Sequence, residues 1–313
     1  MNPPVVVAEG ISRRFGNHQG IEQVSFEIAQ GEIFGFLGPN GAGKSTTNRI
    51  LVGLFRADAG RATVFGLDPL HNDRQVHRRV GYLPGELAPY PRLSGRQLLS
   101  RFAGVRGLTD TAYRDQLVDR FGVELDRRIR TLSKGNRQKI GIVSAFMHRP
   151  DLLILDEPTS GLDSLLQDEF AHLLRECTDH GSTVFLSSHE LDEVQRLADR
   201  VAVIREGRIV VTDTVEALRQ AAPRTVEFRF AHGADPGRFA ALDGVRVTNA
   251  SADGLSLAVT GPVAPVLAIA AELGAVDVTA RRANLDELFL TYYRAPSADG
   301  HNDLPGEAAD YGS

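Results

Sequence analysis

Residues 38–46 read Gly38-Pro39-Asn40-Gly41-Ala42-Gly43-Lys44-Ser45-Thr46, directly after the apolar run Ile33–Leu37. Glycines at this density let successive backbone N–H groups turn inward around a phosphate chain, and a helix starting behind the loop adds its positive end. The spacing matches the phosphate-binding loop, in which Lys44 reaches the β- and γ-phosphates and the Ser45 hydroxyl ligates Mg²⁺. The bland alternative is a glycine-rich turn between strand and helix. Either way Ile33–Leu37 is read as a buried strand and Gly43–Leu51 as a helix. The loop alone does not separate a kinase, a GTPase and a motor.

The rest of the chain extends that local unit. Strand-like and helix-like segments alternate to about residue 220, the pattern of an α/β domain with a largely parallel sheet. Leu152–Leu155 and Ser182–Leu186 are apolar runs too short for helices and are read as central strands. Val201–Ile204 and Arg208–Val211 flank Glu206-Gly207, a hairpin signal. Between Leu93 and Val123 a helical stretch places Leu98, Leu99 and Phe102 on one face and Tyr113, Leu117 and Phe121 on another, as in a helical lobe inserted into the core. A second unit starts near Arg224. Strands at 225–230, 245–248, 255–259 and 275–280 and helices at 236–242 and 262–273 give the order β-α-β-β-α-β of a ferredoxin-like unit. Asn284 with Glu287 then opens a last helix, and the tail beyond Arg294 has little to bury and is expected to be disordered.

A second chemical element narrows the first. Leu152-Leu-Ile-Leu-Asp-Glu-Pro158 is an apolar strand ending in two carboxylates. After a phosphate loop, Asp156 is placed to hold Mg²⁺ through water and Glu157 to orient or deprotonate an attacking water. Taken singly, the run is also read as a strand that ends in polar turn residues.

Composition excludes several classes. The 313 residues are 42% hydrophobic and 24% charged, ordinary globular values, with room for a large domain and a small appendage. A net charge of −5 gives no electrostatic reason to expect nucleic acid. Cys177 is the one cysteine, so no intrachain disulfide can form. The start has no basic segment followed by an apolar one, hence no signal peptide is expected. The longest apolar stretch, 262–271, is far below the ~20 residues a membrane helix needs. These features lead to the expectation of a cytoplasmic protein.

Four further motifs give the chain a resemblance. Leu132-Ser-Lys-Gly-Asn136, Ser160-Gly-Leu-Asp163, His189 after a predicted strand, and Phe15 before Gly16 stand in the order of the ABC ATPase family. Residues 5–215 resemble that family. The resemblance implies a phosphate-loop ABC ATPase core, residues 5–222, with a parallel sheet, an antiparallel β subdomain and a helical subdomain at about 88–150. The accessory α+β unit then covers 224–294 and the tail 295–313. It implies ATP and Mg²⁺ as cofactors, with nucleotide contacts from Phe15, Gly38, Pro39, Asn40, Gly41, Ala42, Gly43, Lys44, Ser45, Thr46, Ser133, Gly135 and Asp163. Metal contacts fall to Ser45 and Asp156, and catalysis to Lys44, Glu157 and His189. Phe15 stacks on adenine or is a core aromatic; Ser133 and Asp163 act across a dimer or are simple helix N-caps. In this family the signature of one chain completes the site of a second, so a second copy, or a related ATPase chain, is an implied partner.

Three positions depart from the family pattern. Gly85, followed by Glu86, stands where a glutamine is expected after Gly81-Tyr-Leu-Pro84, and Glu86 is the candidate to take its metal and relay role. Lys134 and Asn136 replace a glycine and a glutamine of the signature. The resemblance further implies a separately encoded transmembrane permease, a peripheral location on the cytoplasmic membrane face, and no nucleic acid. The C-terminal unit resembles the tails of exporter ATPases of the daunorubicin-resistance kind. The alternatives are a nucleotide-binding regulator with little turnover and a non-transport ABC ATPase.

Overall fold

An antiparallel strand pair, β1 (Val6–Phe15) and β2 (His18–Ile28), opens the fold in a computed structural model that describes residues 3–16, 18–86 and 90–281. Val6, Ala8 and Ile11 of β1 are buried and Glu9 is exposed, as in a sheet with one wet face. Strand β3 (Ile33–Leu37) is buried at every position, and helix α1 (Lys44–Leu51) follows the glycine-rich loop. Strand β4 (Ala59–Val64) pairs with the free side of β1, giving a sheet of order β2-β1-β4.

Helix α2 (Asp73–Arg79) leads into β5 (Val80–Leu83). The helical stretch expected from Leu93 to Val123 is two helices, α3 (Gly95–Arg106) and α4 (Ala112–Arg120). Gly107, with φ of 67°, ends the first in the left-handed conformation that a side chain would oppose. Ser94 and Gln97 start it with a reciprocal capping box. Helix α5 (Lys134–Phe146) buries Ile140, Ile142, Val143 and Phe146.

Strand and helix then alternate through β6 (Leu152–Asp156), α6 (Ser164–Asp179), β7 (Thr183–Ser188), α7 (Leu191–Leu197), β8 (Arg200–Arg205), β9 (Arg208–Thr214) and α8 (Val215–Ala221). These strands form one sheet in the order β5-β6-β7-β3-β8-β9, parallel except for β9. Glu206 and Gly207 both have positive φ, 50° and 81°, which suits the tight β8–β9 hairpin. Phe26 of β2 stacks on Phe34 and Phe185 at 5.4 and 5.5 Å between ring centroids, in one core that both sheets share. The register sets Leu37 beside Ser188 and Asp156 beside Ser187. Three strands therefore end side by side at their carboxyl ends, where open α/β sheets place their ligands.

The chain divides into two compact units at Ala221/Ala222. The second contains β10 (Arg224–Phe230), α9 (Gly237–Ala240), β11 (Val245–Ala250), β12 (Gly254–Val259), α10 (Ala264–Glu272) and β13 (Ala275–Arg281). Its sheet is antiparallel, ordered β11-β12-β10-β13, over a core of its own around Phe228, Phe230, Phe239 and Leu257. The helix expected over 236–242 is a single turn. The helix expected from Asn284 and the tail from residue 295 lie outside the described residues. Among the described residues, no helix is long and apolar enough to cross a membrane.

Candidate functional site

The loop after β3 begins on the sheet itself: the Gly38 N–H donates to Ser188 O at 3.2 Å, carrying the ladder one step further. Pro39, Asn40 and Gly41 form an exposed tip, Ala42 is buried, and Ser45 and Thr46 are half-buried in the first turn of α1. Gly43 has φ of 108°, and a Cβ there would fall 2.5 Å from Ile21 Cγ2 and 2.7 Å from Gly20 O. Neither the backbone angle nor the space admits a side chain. Lys44 is 6% exposed, with its ammonium folded over the loop. Nζ donates to Gly38 O at 2.6 Å and to Pro39 O at 3.2 Å, and lies 3.3 Å from Glu157 Oε1.

At the end of β6, Asp156 is buried and its Oδ1 accepts from Ser187 Oγ at 2.7 Å. Ser187 Oγ in turn accepts from Asn48 Nδ2 of α1 at 2.8 Å. Gly85 follows β5 beside this carboxylate; a Cβ on it would be 3.5 Å from Oδ2. Burial and the neighbouring Asp156 push the Tyr82 phenol up to about 12. Glu157 turns the chain off the strand with φ of 51°, a left-handed angle rare for a residue with a side chain. Its N–H donates to Ser187 O at 2.9 Å, and its Oε2 lies 2.7 Å from His189 Nδ1. Oε1 is buried and accepts no hydrogen bond from any described residue.

The start of α5 packs on the loop that follows β6. Ser133 caps the helix, accepting from Asn136 N at 3.1 Å, and the Asn136 side chain bonds the backbone of Glu124 in both directions at 3.0 and 3.1 Å. Lys134 Nζ donates to Ser160 Oγ at 2.7 Å, and a Cβ on Gly135 would lie 2.5 Å from Gly161 O. Gln138 Nε2 donates to Glu157 O and Pro158 O at 3.1 and 2.8 Å. Asp163 caps α6 by accepting from Leu166 N at 3.0 Å.

The fold thus brings Lys44, Asp156, Glu157 and His189 together. Among the described residues, no hydrogen bond or ion pair joins Phe15, Glu86, Ser133 or Asp163 to that group. Phe15 is 39% exposed, in a T-shaped pair with Phe55 at 5.6 Å between ring centroids and with the Arg13 guanidinium 5.3 Å from its ring. Glu86 is exposed on a cleft of about 330 Å³ shared with Arg130, Lys134, Arg137 and Gln138. Sequence reasoning missed Asn48, Thr159, Ser187, Ser188 and Glu193, all buried polar groups around the motif residues. The apolar pattern of β7 stops at Leu186, while the strand runs on to Ser188; the two serines directly before His189 were the available signal.

Asp156, whose Oδ2 lies beside Gly85, and the half-buried Ser45 in the first turn of α1 supply oxygen donors of the kind Mg²⁺ prefers. No cluster of three or more His, Cys, Asp or Glu able to hold a metal occurs among the described residues.

A family model described as "ABC transporter" matches residues 21–160. The chain is 34% identical over 229 residues to "Uncharacterized ABC transporter ATP-binding protein YdbJ" of Bacillus subtilis (strain 168), covering 72% of this chain and 74% of that protein. It is 32% identical over 305 residues to "Daunorubicin resistance ATP-binding protein DrrA3" of Streptomyces coeruleorubidus, covering 93% and 96%. A solved "Structure of ATP binding subunit of ABC transporter" superposes with a TM-score of 0.62 at 29% identity, over 69% of this chain and 92% of that one.

Proposed function

The chain belongs to the ABC transporter family as an ATP-binding ATPase subunit, and from that premise we propose that it hydrolyses ATP at Lys44, Asp156, Glu157 and His189 to drive export through a separately encoded permease. The observation that carries the site is the Glu157 carboxylate, with His189 on one oxygen and Lys44 beside the other.

In this reading the backbone N–H groups of the loop from Asn40 to Thr46 surround the phosphates and Lys44 turns from its own carbonyls to the β- and γ-oxygens. Ser45 and Asp156 would hold Mg²⁺, which when bound would neutralise developing phosphate charge. Glu157 orients the attacking water and takes its proton at a carboxylate oxygen, while His189 keeps that carboxylate aimed and contacts the γ-phosphate. Phe15, exposed on one side, stacks on adenine. Ser133, Gly135 and Asp163 serve a second copy of the chain across an ATP sandwich, and Glu86 takes the place of the missing glutamine. The core spans 5–222 with its helical subdomain at about 88–150, and works at the cytoplasmic face of the membrane.

The accessory unit at 224–294 is ferredoxin-like in this reading. Support comes from its β-α-β-β-α-β order and from β10 lying between β12 and β13 in an antiparallel sheet. Export is supported by the daunorubicin-resistance relative, which matches nearly the whole chain.

The test is Glu157→Gln. ATP binding is expected to survive and a closed dimer to accumulate, with turnover lost. Normal turnover in that variant refutes the role, and absence of turnover in the wild type turns the reading to a nucleotide-binding regulator.

A further inference from the structure

Glu193 is 5% exposed, and no motif accounts for its carboxyl group. It lies in the first turn of α7, and its two oxygens are taken by hydroxyls from two different segments. Thr159 Oγ1 donates to Oε1 at 2.7 Å, and Ser188 Oγ donates to Oε2. Thr159 stands two residues after Glu157, and Ser188 stands directly before His189. Ser188 Oγ also accepts the Glu190 N–H at 3.0 Å, so the chain is pinned on both sides of His189. Helix α7 is itself a close-seated support: a Cβ on Gly35 of β3 would come 2.6 Å from Val194 Cγ1. Burial pushes the Glu193 carboxyl pKa upward, and the bonds from Ser188 and Thr159 oppose that shift.

We propose that Glu193 is a positioning residue for hydrolysis, holding the His189 and Glu157 segments in mutual register through Ser188 and Thr159. The inference rests on the reading of Glu157 and His189 as the reacting pair. A buried side chain that only filled space would have no need of a carboxyl group, and a carboxyl left without hydrogen-bond partners there would be costly. With both hydroxyls bound, the carboxylate ties two loops to one rigid helix, and small misplacements of reacting groups are expensive in rate.

Glu193→Gln keeps the volume but offers one acceptor and one donor, so only one hydroxyl keeps its donated bond. In the full chain, kcat is expected to fall roughly 10-fold with KM for ATP within about two-fold of wild type. In a His189→Ala background, the single-turnover loss from Glu193→Gln should be clearly smaller than in the wild type, because one of the two groups it positions is gone. If Glu193→Gln unfolds the chain, Ser188→Ala removes one tie without touching the carboxylate and should give the same loss and the same non-additivity. Wild-type kcat in the single variant, or a full additional loss in the double variant, overturns the proposal. An inactive His189→Ala beside a fully active Glu193→Gln sinks the positioning role alone, whereas full turnover in His189→Ala sinks the reacting pair as well.

Discussion

Lys44 Nζ lies 3.3 Å from Glu157 Oε1, on the carboxylate oxygen opposite the one that meets His189. The ammonium is 6% exposed and also donates to two carbonyls of its own loop. The same cation thus organises the loop and neutralises the carboxylate proposed as the base. In the proposed reading its attraction to phosphate would compete with both, linking phosphate entry and release of the Glu157 oxygen through one side chain.

Replacing Lys44 with Met should therefore do more than weaken phosphate contact. It leaves Gly38 O without its buried donor and Glu157 Oε1 without a nearby cation. We expect kcat/KM for ATP to fall by at least ~10²-fold and the melting temperature to drop. Steady-state ATPase assays with thermal melts check both, and unchanged melting would contradict the structural half.

Gly43→Ala should fail for two independent reasons, its φ of 108° and the 2.5 Å approach of a Cβ to Ile21 Cγ2. We expect a loss of about 2–4 kcal/mol in stability together with loss of nucleotide binding. Denaturant unfolding alongside a fluorescent-nucleotide titration would show it; a variant that binds like wild type would refute the steric argument.

Arg120 of α4 makes a two-pronged pair with Glu176 of α6 at 2.6 and 2.8 Å and also bonds Glu169. The carboxylates beside it hold its guanidinium in the charged form. Arg120→Lys keeps the charge but loses the fork, so most of the contribution should go with it. Because Glu176 is half exposed, the loss is expected at about 1 kcal/mol, smaller in high salt. Melts of Arg120→Lys and Arg120→Ala that differ widely would argue against the geometric account.

His148 gives the clearest pH dependence. Burial and the charge of Arg106 push its pKa down from 6.5 to about 4, against the help of its bond to Val80 O. Its imidazole is thus kept neutral in the fold while the unfolded chain takes up a proton below pH 6.5. The unfolded state binds more protons between those values, so stability falls as the pH drops from about 6.5 toward 4, by about 3 kcal/mol in all. His148→Asn should flatten that part of the pH–stability curve, and a curve unchanged from wild type would show the acid sensitivity to lie elsewhere.

The central strands and the phosphate loop were legible because burial on both faces writes a continuous apolar run, and Ile33–Leu37 is such a run. Strand β1 was not legible as a unit. Its register slips between Ala8 and Ile11 and again before Arg13, beside Gly10 at φ of 58°, so its alternation is broken by bulges. Within the site, the residues that carry motifs announced themselves, but the groups beneath them did not. Asn48, Ser187 and Glu193 are ordinary polar letters whose meaning comes from being buried against partners as much as 139 positions away. The second unit's strands were visible through alternation, whereas Gly237–Ala240 was overread as a full helix because Pro236 and Leu242 bracket only one turn.

Leu37 and Ser188 end their strands level with each other and Asp156 ends its strand one residue short, level with Ser187, each held by the parallel ladder. The sheet therefore acts as a ruler with divisions of about 3.3 Å, one per residue. Inserting or deleting a single residue within β6 would carry the acidic pair one division along and turn it to the opposite face. Length changes in β3, β6 or β7 should be ruinous even where every motif letter is preserved, while exposed connections far from the strand ends can vary in length.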